Sequence, residues 1–198
     1  MGLTKEQAEN LNELCGFNKV WQKPDPTVRL LRQVPLPATI PGKLFLHNMP
    51  GRREPLEACF AEITAASCYR IICLAGMEEI ARKSPDYAKA LGDEKTPCPV
   101  VPFPVGDYGV PDETDNARRQ INDIAGDLHR GKNMLIHCAG GKGRTGMFAI
   151  CVLIALGIDV ETASSVVQQH GSSPDTPEQT AFIHEFRRYI YANTHFGG

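Results

Sequence analysis

No apolar run in this 198-residue sequence approaches the ~18–20 residues that a membrane-spanning helix needs. A basic tract is missing too. Lys and Arg number 21 against 23 Asp and Glu, for a net charge of −2. Bulk nucleic-acid binding needs a phosphate-neutralising patch that this balance does not supply. Internal repeats and low-complexity tracts are absent, which excludes a solenoid or a linker-like chain. There is no C-x-x-C pair. The seven cysteines (Cys15, Cys59, Cys68, Cys73, Cys98, Cys138 and Cys151) are odd in number and irregularly spaced. A disulfide scaffold and a zinc site both read poorly, and no metal is expected. A reducing, cytoplasmic setting fits such thiols. The first residues lack a signal-peptide pattern. Thr4 and Gln7 form a capping pair that predicts a short helix over 4–14. Glu6 stands where a myristoylation motif needs Ser or Thr.

What is present is a globular composition, 42% hydrophobic and 22% charged, in a length that suits one domain with a full core. Its most informative stretch is Ile136-His137-Cys138-Ala139-Gly140-Gly141-Lys142-Gly143-Arg144-Thr145-Gly146. A cysteine stands six positions before an arginine, with three glycines between them. Apolar Met134, Leu135 and Ile136 precede it, and an apolar, helix-forming run over 147–156 follows. Strand, tight loop and helix start are the natural reading. Such a loop aims successive backbone N–H groups at one point, beside the positive end of a helix dipole, which suits an oxyanion. The same field favours a thiolate over a thiol. A guanidinium there can grip two phosphate oxygens together. Sulfur beneath a phosphate cradle is what a phosphatase requires.

Other motifs share these glycines. Gly141, Gly143 and Gly146 also satisfy G-x-G-x-x-G. A dinucleotide site needs a second strand ending in an acid about 20 residues on. Here 147–156 and 159–169 both read as helix. A Walker A loop fails because Gly143, not Ser or Thr, follows Lys142. A buried core thiol beside a surface arginine would explain a lone C-x5-R, but not the full combination.

His-Cys-x5-Arg-Thr-Gly resembles the signature of the cysteine-dependent protein tyrosine phosphatases. Motif order and chain size are most similar to the dual-specificity class, and within it to the kinase-associated phosphatase type. The resemblance implies that Cys138 is the nucleophile and forms a cysteinyl phosphate. It implies that Arg144 binds phosphate together with the loop over Ala139, Gly140, Gly141, Lys142 and Gly143. Thr145 would donate its hydroxyl to the departing sulfur, and His137 would tune the thiol from behind. No cofactor is implied. The expected partner is a phosphorylated protein or peptide, with no nucleic acid and no membrane span.

A general acid should protonate the leaving oxygen. The Gly- and Pro-rich loop over 103–112 follows an apolar strand and offers Asp107 and Asp112. By resemblance to the kinase-associated type, the first of these, Asp107, is the acid. Asp112, just before a predicted helix, suits an N-cap. Further on, Gln179 followed three positions later by Phe182 resembles the family's closing segment. That match puts Gln179 near the phosphate loop, where it would help place the hydrolytic water. The plainer reading is a first-turn glutamine facing solvent. Many relatives carry an arginine just before the Gly-Ser of that segment, where this chain has Gln168-Gln169-His170. Lys142 resembles the loop lysine of phosphoinositide 3-phosphatases, but their second lysine is Ala139 here. That leaves inositol phosphates as an alternative substrate. Cys73 is the candidate for a protective disulfide with Cys138, against a plain buried-thiol role.

Strands are predicted over 28–34, 43–47, 69–74, 99–103 and 132–137. Helices are predicted over 54–66, 77–82, 84–91, 113–130, 144–156, 159–169 and 177–193. The alternation predicts a single α/β domain over 1–198, with a central, mainly parallel sheet of about five strands and helices on both faces. Residues 1–26 would form an N-terminal helix and leading loop, and 27–198 the catalytic core. Catalysis would sit at the carboxyl end of the strand before Cys138.

Overall fold

The computed structural model describes residues 21–22 and 29–195. The expected helix over 4–14, Cys15 and the loop over 23–26 lie outside the described residues. One sheet holds β1 (Arg32–Val34), β2 (Leu44–His47), β3 (Cys68–Cys73), β4 (Val100–Pro102) and β5 (Asn133–His137), in the order β1-β2-β5-β3-β4. β1 runs antiparallel to β2, and every other neighbour is parallel. The helices are α1 (Leu56–Ala65), α2 (Met77–Lys83), α3 (Pro85–Gly92), α4 (Thr114–His129), α5 (Gly143–Ala155), α6 (Val160–Gln169) and α7 (Pro177–His195).

The two-residue period of the strands divides the core. Leu44, Leu46, Ile72, Met134 and Ile136 pack with α4, α5, α6 and α7. Phe45, Ile71 and Leu135 face the other way, onto Cys59 and Ile63 of α1. Cys73 joins Ile80 of α2 and Tyr87 of α3 on that second side. Helices therefore cover both faces, as the alternation predicts. α5 is apolar around its circumference, and Met147 to Ile154 are all buried. This fixes the loop that precedes it.

Two local expectations are corrected. The strand predicted over 28–34 begins only at Arg32. Just before it, the backbone amides of Arg29, Leu30 and Leu31 donate to the Glu62 carboxylate at 2.7–2.9 Å. A side chain from α1 thus takes the place of a strand partner. Asp112 does not cap α4: Glu113 holds the N-cap position, and no side chain accepts from the first amides.

Candidate active site

Cys138 follows β5 directly, and Arg144 lies in the first turn of α5. The loop between them closes so tightly that glycine is required. Gly141 has φ +66°, and a Cβ there would lie 2.5 Å from the His47 carbonyl oxygen. A Cβ at Gly146 would lie 2.5 Å from the Ser173 nitrogen. The Gly141 N–H donates to Cys138 Sγ at 3.2 Å. No side chain caps the start of α5, so its first amides remain available to a ligand. Above the buried sulfur opens a cleft of about 270 Å³, lined by the loop, Arg52, Arg53, Lys83, Asp107, Tyr108 and Asp175.

Arg144 is buried and heavily engaged. Nη1 donates to Glu79 Oε2 at 2.8 Å and to the Val105 carbonyl at 2.9 Å. Nη2 donates to Glu79 Oε1 at 3.0 Å and to Asp107 Oδ1 at 2.9 Å. A guanidinium has five N–H groups, so these contacts leave Nε–H open. The Arg144 guanidinium, with help from Lys83 at 2.6 Å, holds the Glu79 carboxyl down at about 2 despite partial burial. Burial opposes the Arg144 charge. Glu79, Cys138 and Asp107 outweigh it, and the net direction is upward. Asp107 reaches in from an exposed position, 56% accessible, with Lys83 at 3.8 Å.

The sulfur end has different supports. His137 is fully buried, with Nδ1 3.1 Å from the Cys138 carbonyl and Nε2 3.1 Å from the Tyr87 hydroxyl. A carbonyl only accepts, so Nδ1 carries the proton and Nε2 accepts from Tyr87. Burial pushes the imidazole down to about 4, so it is neutral at physiological pH. Arg32 Nη2 and Ser172 Oγ both donate to the Gly141 carbonyl, at 2.6 and 2.7 Å. Arg52 Nη1 donates to the Ala139 carbonyl at 2.8 Å. Cys73 turns its thiol to the Ala75 carbonyl at 3.5 Å and packs in a different apolar cluster from Cys138. Burial pushes that thiol up to about 11.

The Thr145 hydroxyl is buried and has no hydrogen-bond partner among the described residues. Gln179 is fully buried, which removes the solvent-facing reading. Its Nε2 donates to the Gly109 carbonyl at 3.0 Å, and its Oε1 accepts from the Asp175 amide at 2.8 Å. It therefore ties the loop carrying Asp107 to the segment before α7. Lys142 lies exposed on the cleft wall, while Asp112 is not part of the lining.

Sequence reasoning missed Glu79, Arg32, Arg52, Arg53 and Asp175. Glu79 is one of two adjacent first-turn acids on α2, and nothing in the pattern separates it from Glu78. Arg32 acts from 109 positions before the carbonyl it holds. Arg52 and Arg53 directly follow the Pro50-Gly51 pair, and no local pattern separates them from solvated surface charge.

The profile described as "PTP-SAK: Swiss Army Knife protein, DSP-PTPase phosphatase domain" matches residues 40–195. The chain belongs to this family. No curated protein matches. The solved structure of kinase associated phosphatase with its catalytic-site cysteine replaced by serine is 19% identical. It covers 85% of this chain and 99% of its own, with a TM-score of 0.68. PTPMT1 in complex with PI(5)P is 16% identical over 76% of this chain and 94% of its own, with a TM-score of 0.60. The human tyrosine phosphatase-like serine/threonine/tyrosine-interacting protein is 19% identical over 84% and 99%, with a TM-score of 0.58. This DSP-PTPase domain has the fold of all three. Among the described residues, no helix is long and apolar enough to cross a membrane.

Proposed function

We propose that this DSP-PTPase domain dephosphorylates phosphoproteins through a cysteinyl-phosphate intermediate. The observation that carries the reading is one cleft holding the Cys138 sulfur, the Arg144 guanidinium and the Asp107 carboxyl group together. The Cys138 thiolate attacks phosphorus, forming an S–P bond as the P–O bond to the leaving group breaks. Asp107 gives its proton to the leaving oxygen. Arg144 and the amides over 139–144 hold the charge on the equatorial oxygens. Water then attacks phosphorus, Asp107 takes its proton, and the S–P bond breaks to release phosphate and the thiolate. Thr145, whose hydroxyl is otherwise unpartnered, donates to that departing sulfur. His137 holds the Cys138 carbonyl from behind, and Gln179 positions the acid loop through the Gly109 carbonyl.

The test is hydrolysis of an aryl phosphate. The parent protein should turn it over and be inhibited competitively by vanadate. Cys138→Ser should fall to background while still binding the oxyanion. Turnover by Cys138→Ser at the parent rate would end this mechanism. An inositol phosphate or phosphoinositide is a second reading, favoured by the cations Arg52, Arg53 and Lys142 at the cleft. Rates on phosphopeptides and inositol phosphates measured side by side decide between the two.

A further inference from the structure

The charges around the cleft are sorted by side. Lys83 and Arg144 are neutralised by Glu79 and Asp107. Asp175 stands over the far end of the loop, where a Cβ on Gly143 would meet its carboxylate. The acidic groups of the cleft therefore cluster toward Gly143 and Arg144. Over the start of the loop lie Arg52, fixed on the Ala139 carbonyl, and Arg53, close enough that its charge is felt at Arg32. Both line the cleft and are exposed, and neither has an ion pair among the described residues. The cleft thus has a wall of arginines, unpaired among the described residues, on one side of the sulfur and, on the other, a wall where Asp107, Asp175 and Glu79 balance Lys83, Lys142 and Arg144.

Building on the phosphoprotein reading, we propose that Arg52 and Arg53 form a second anion subsite. It takes an acidic or phosphorylated side chain flanking the phosphoresidue of a peptide substrate. An inositol polyphosphate is anionic on every side and would set a phosphate against Asp107 or Asp175. A peptide carries its extra charge on one side and meets only the arginines. Arg52 also braces the loop, so Arg53 is the cleaner position to alter.

The experiment uses the full chain with phosphotyrosyl peptides that differ only in flanking Glu, Gln or Lys residues, and inositol hexakisphosphate as a further ligand. Rates are measured on the parent protein, and binding by fluorescence anisotropy on its Cys138→Ser form. The Glu-flanked peptide should exceed the Gln-flanked one by about 3- to 10-fold, as expected for two exposed charge contacts. Higher salt should shrink the ratio. Arg53→Ala should bring the ratio to within about twofold, and Arg53→Glu should invert it in favour of the Lys-flanked peptide. A ratio of one in the parent protein overturns the proposal. So does a ratio that survives Arg52→Ala/Arg53→Ala, or tighter binding of inositol hexakisphosphate than of the acidic peptide. Absence of aryl-phosphate turnover would defeat the catalytic reading alone, because the anisotropy ratio still reports the subsite.

Discussion

The two ends of the phosphate loop are held by different physics. At the sulfur end the contacts are short, buried and mostly to backbone. His137 holds the Cys138 carbonyl, Arg32 and Ser172 hold the Gly141 carbonyl, and β2 crowds Gly141. At the arginine end the contacts are ionic, and one partner, Asp107, is 56% exposed. The first set has no reason to move, since the sulfur must keep one direction. The second must exchange. A phosphate that grips Arg144 through two N–H groups can use Nε–H freely, but the second has to come from Nη2, where Asp107 sits. Under the proposed mechanism, phosphate binding and release of Asp107 are then one event.

Removing the Asp107 charge breaks this coupling and gives the largest effect. Asp107→Asn should lower kcat by the ~10²–10⁴-fold of a lost general acid. The same change should tighten vanadate binding by about 2- to 5-fold, the ~0.5–1 kcal/mol of a half-exposed ion pair. Inhibition kinetics read both quantities. If vanadate binds more weakly in the variant, Asp107 does not compete for the arginine.

Glu79 gives the next effect. It must keep hold while Asp107 lets go, which its paired bonds to Nη1 and Nη2 allow. Glu79→Gln should cost about 1.5–3 kcal/mol of charge-assisted bonding, or ~10- to 100-fold in kcat/KM. Glu78→Gln, one residue away and exposed, should leave kcat/KM unchanged. Equal losses in the two variants would mean that α2 acts through its fold and not through this carboxylate.

The sulfur end was legible in the sequence and the arginine end only in part. Cys138, the glycines and Arg144 are contiguous, and strand-loop-helix physics dictates their order. The two-sided sheet followed from the alternation of apolar runs. The Pro- and Gly-rich loop offered Asp107 and Asp112 together, and only the resemblance to the kinase-associated type singled out Asp107. Glu79 lies 65 positions from Arg144 and meets it only because β3 and β5 are parallel neighbours. No local pattern records such a pairing. The start of β1 was placed too early for a related reason: an apolar run predicts a strand, but Glu62 captures the amides just before it from another element. The asymmetric charge of the cleft was hidden as well. Arg52 and Arg53 on one side, and Asp175 on the other, look in sequence like ordinary solvated charges.

An effect on stability, with no change in turnover required, separates the two ends by pH. Burial holds the His137 imidazole at about 4, below the ordinary 6.5, although its bond to the Cys138 carbonyl pulls upward. The unfolded chain takes a proton near 6.5, and the folded chain refuses it until about 4. Between these values the unfolded state binds more protons, so stability falls as pH drops through this window and levels off below it. The His137 share is about 3 kcal/mol in all, with about 2 kcal/mol already lost at pH 5. His47 and His170, also lowered chiefly by burial, add in the same direction. The arginine end contributes little above pH 5, because the Glu79 carboxyl, ordinarily near 4.5 and held at about 2 in the fold, gives up its share of stability only as pH falls through those lower values. Urea unfolding at pH 7 and pH 5 tests this. His137→Gln should be less stable than the parent at pH 7, yet lose about 2 kcal/mol less on going to pH 5. If both proteins lose the same amount, the acid sensitivity lies with the other two histidines and not behind the sulfur.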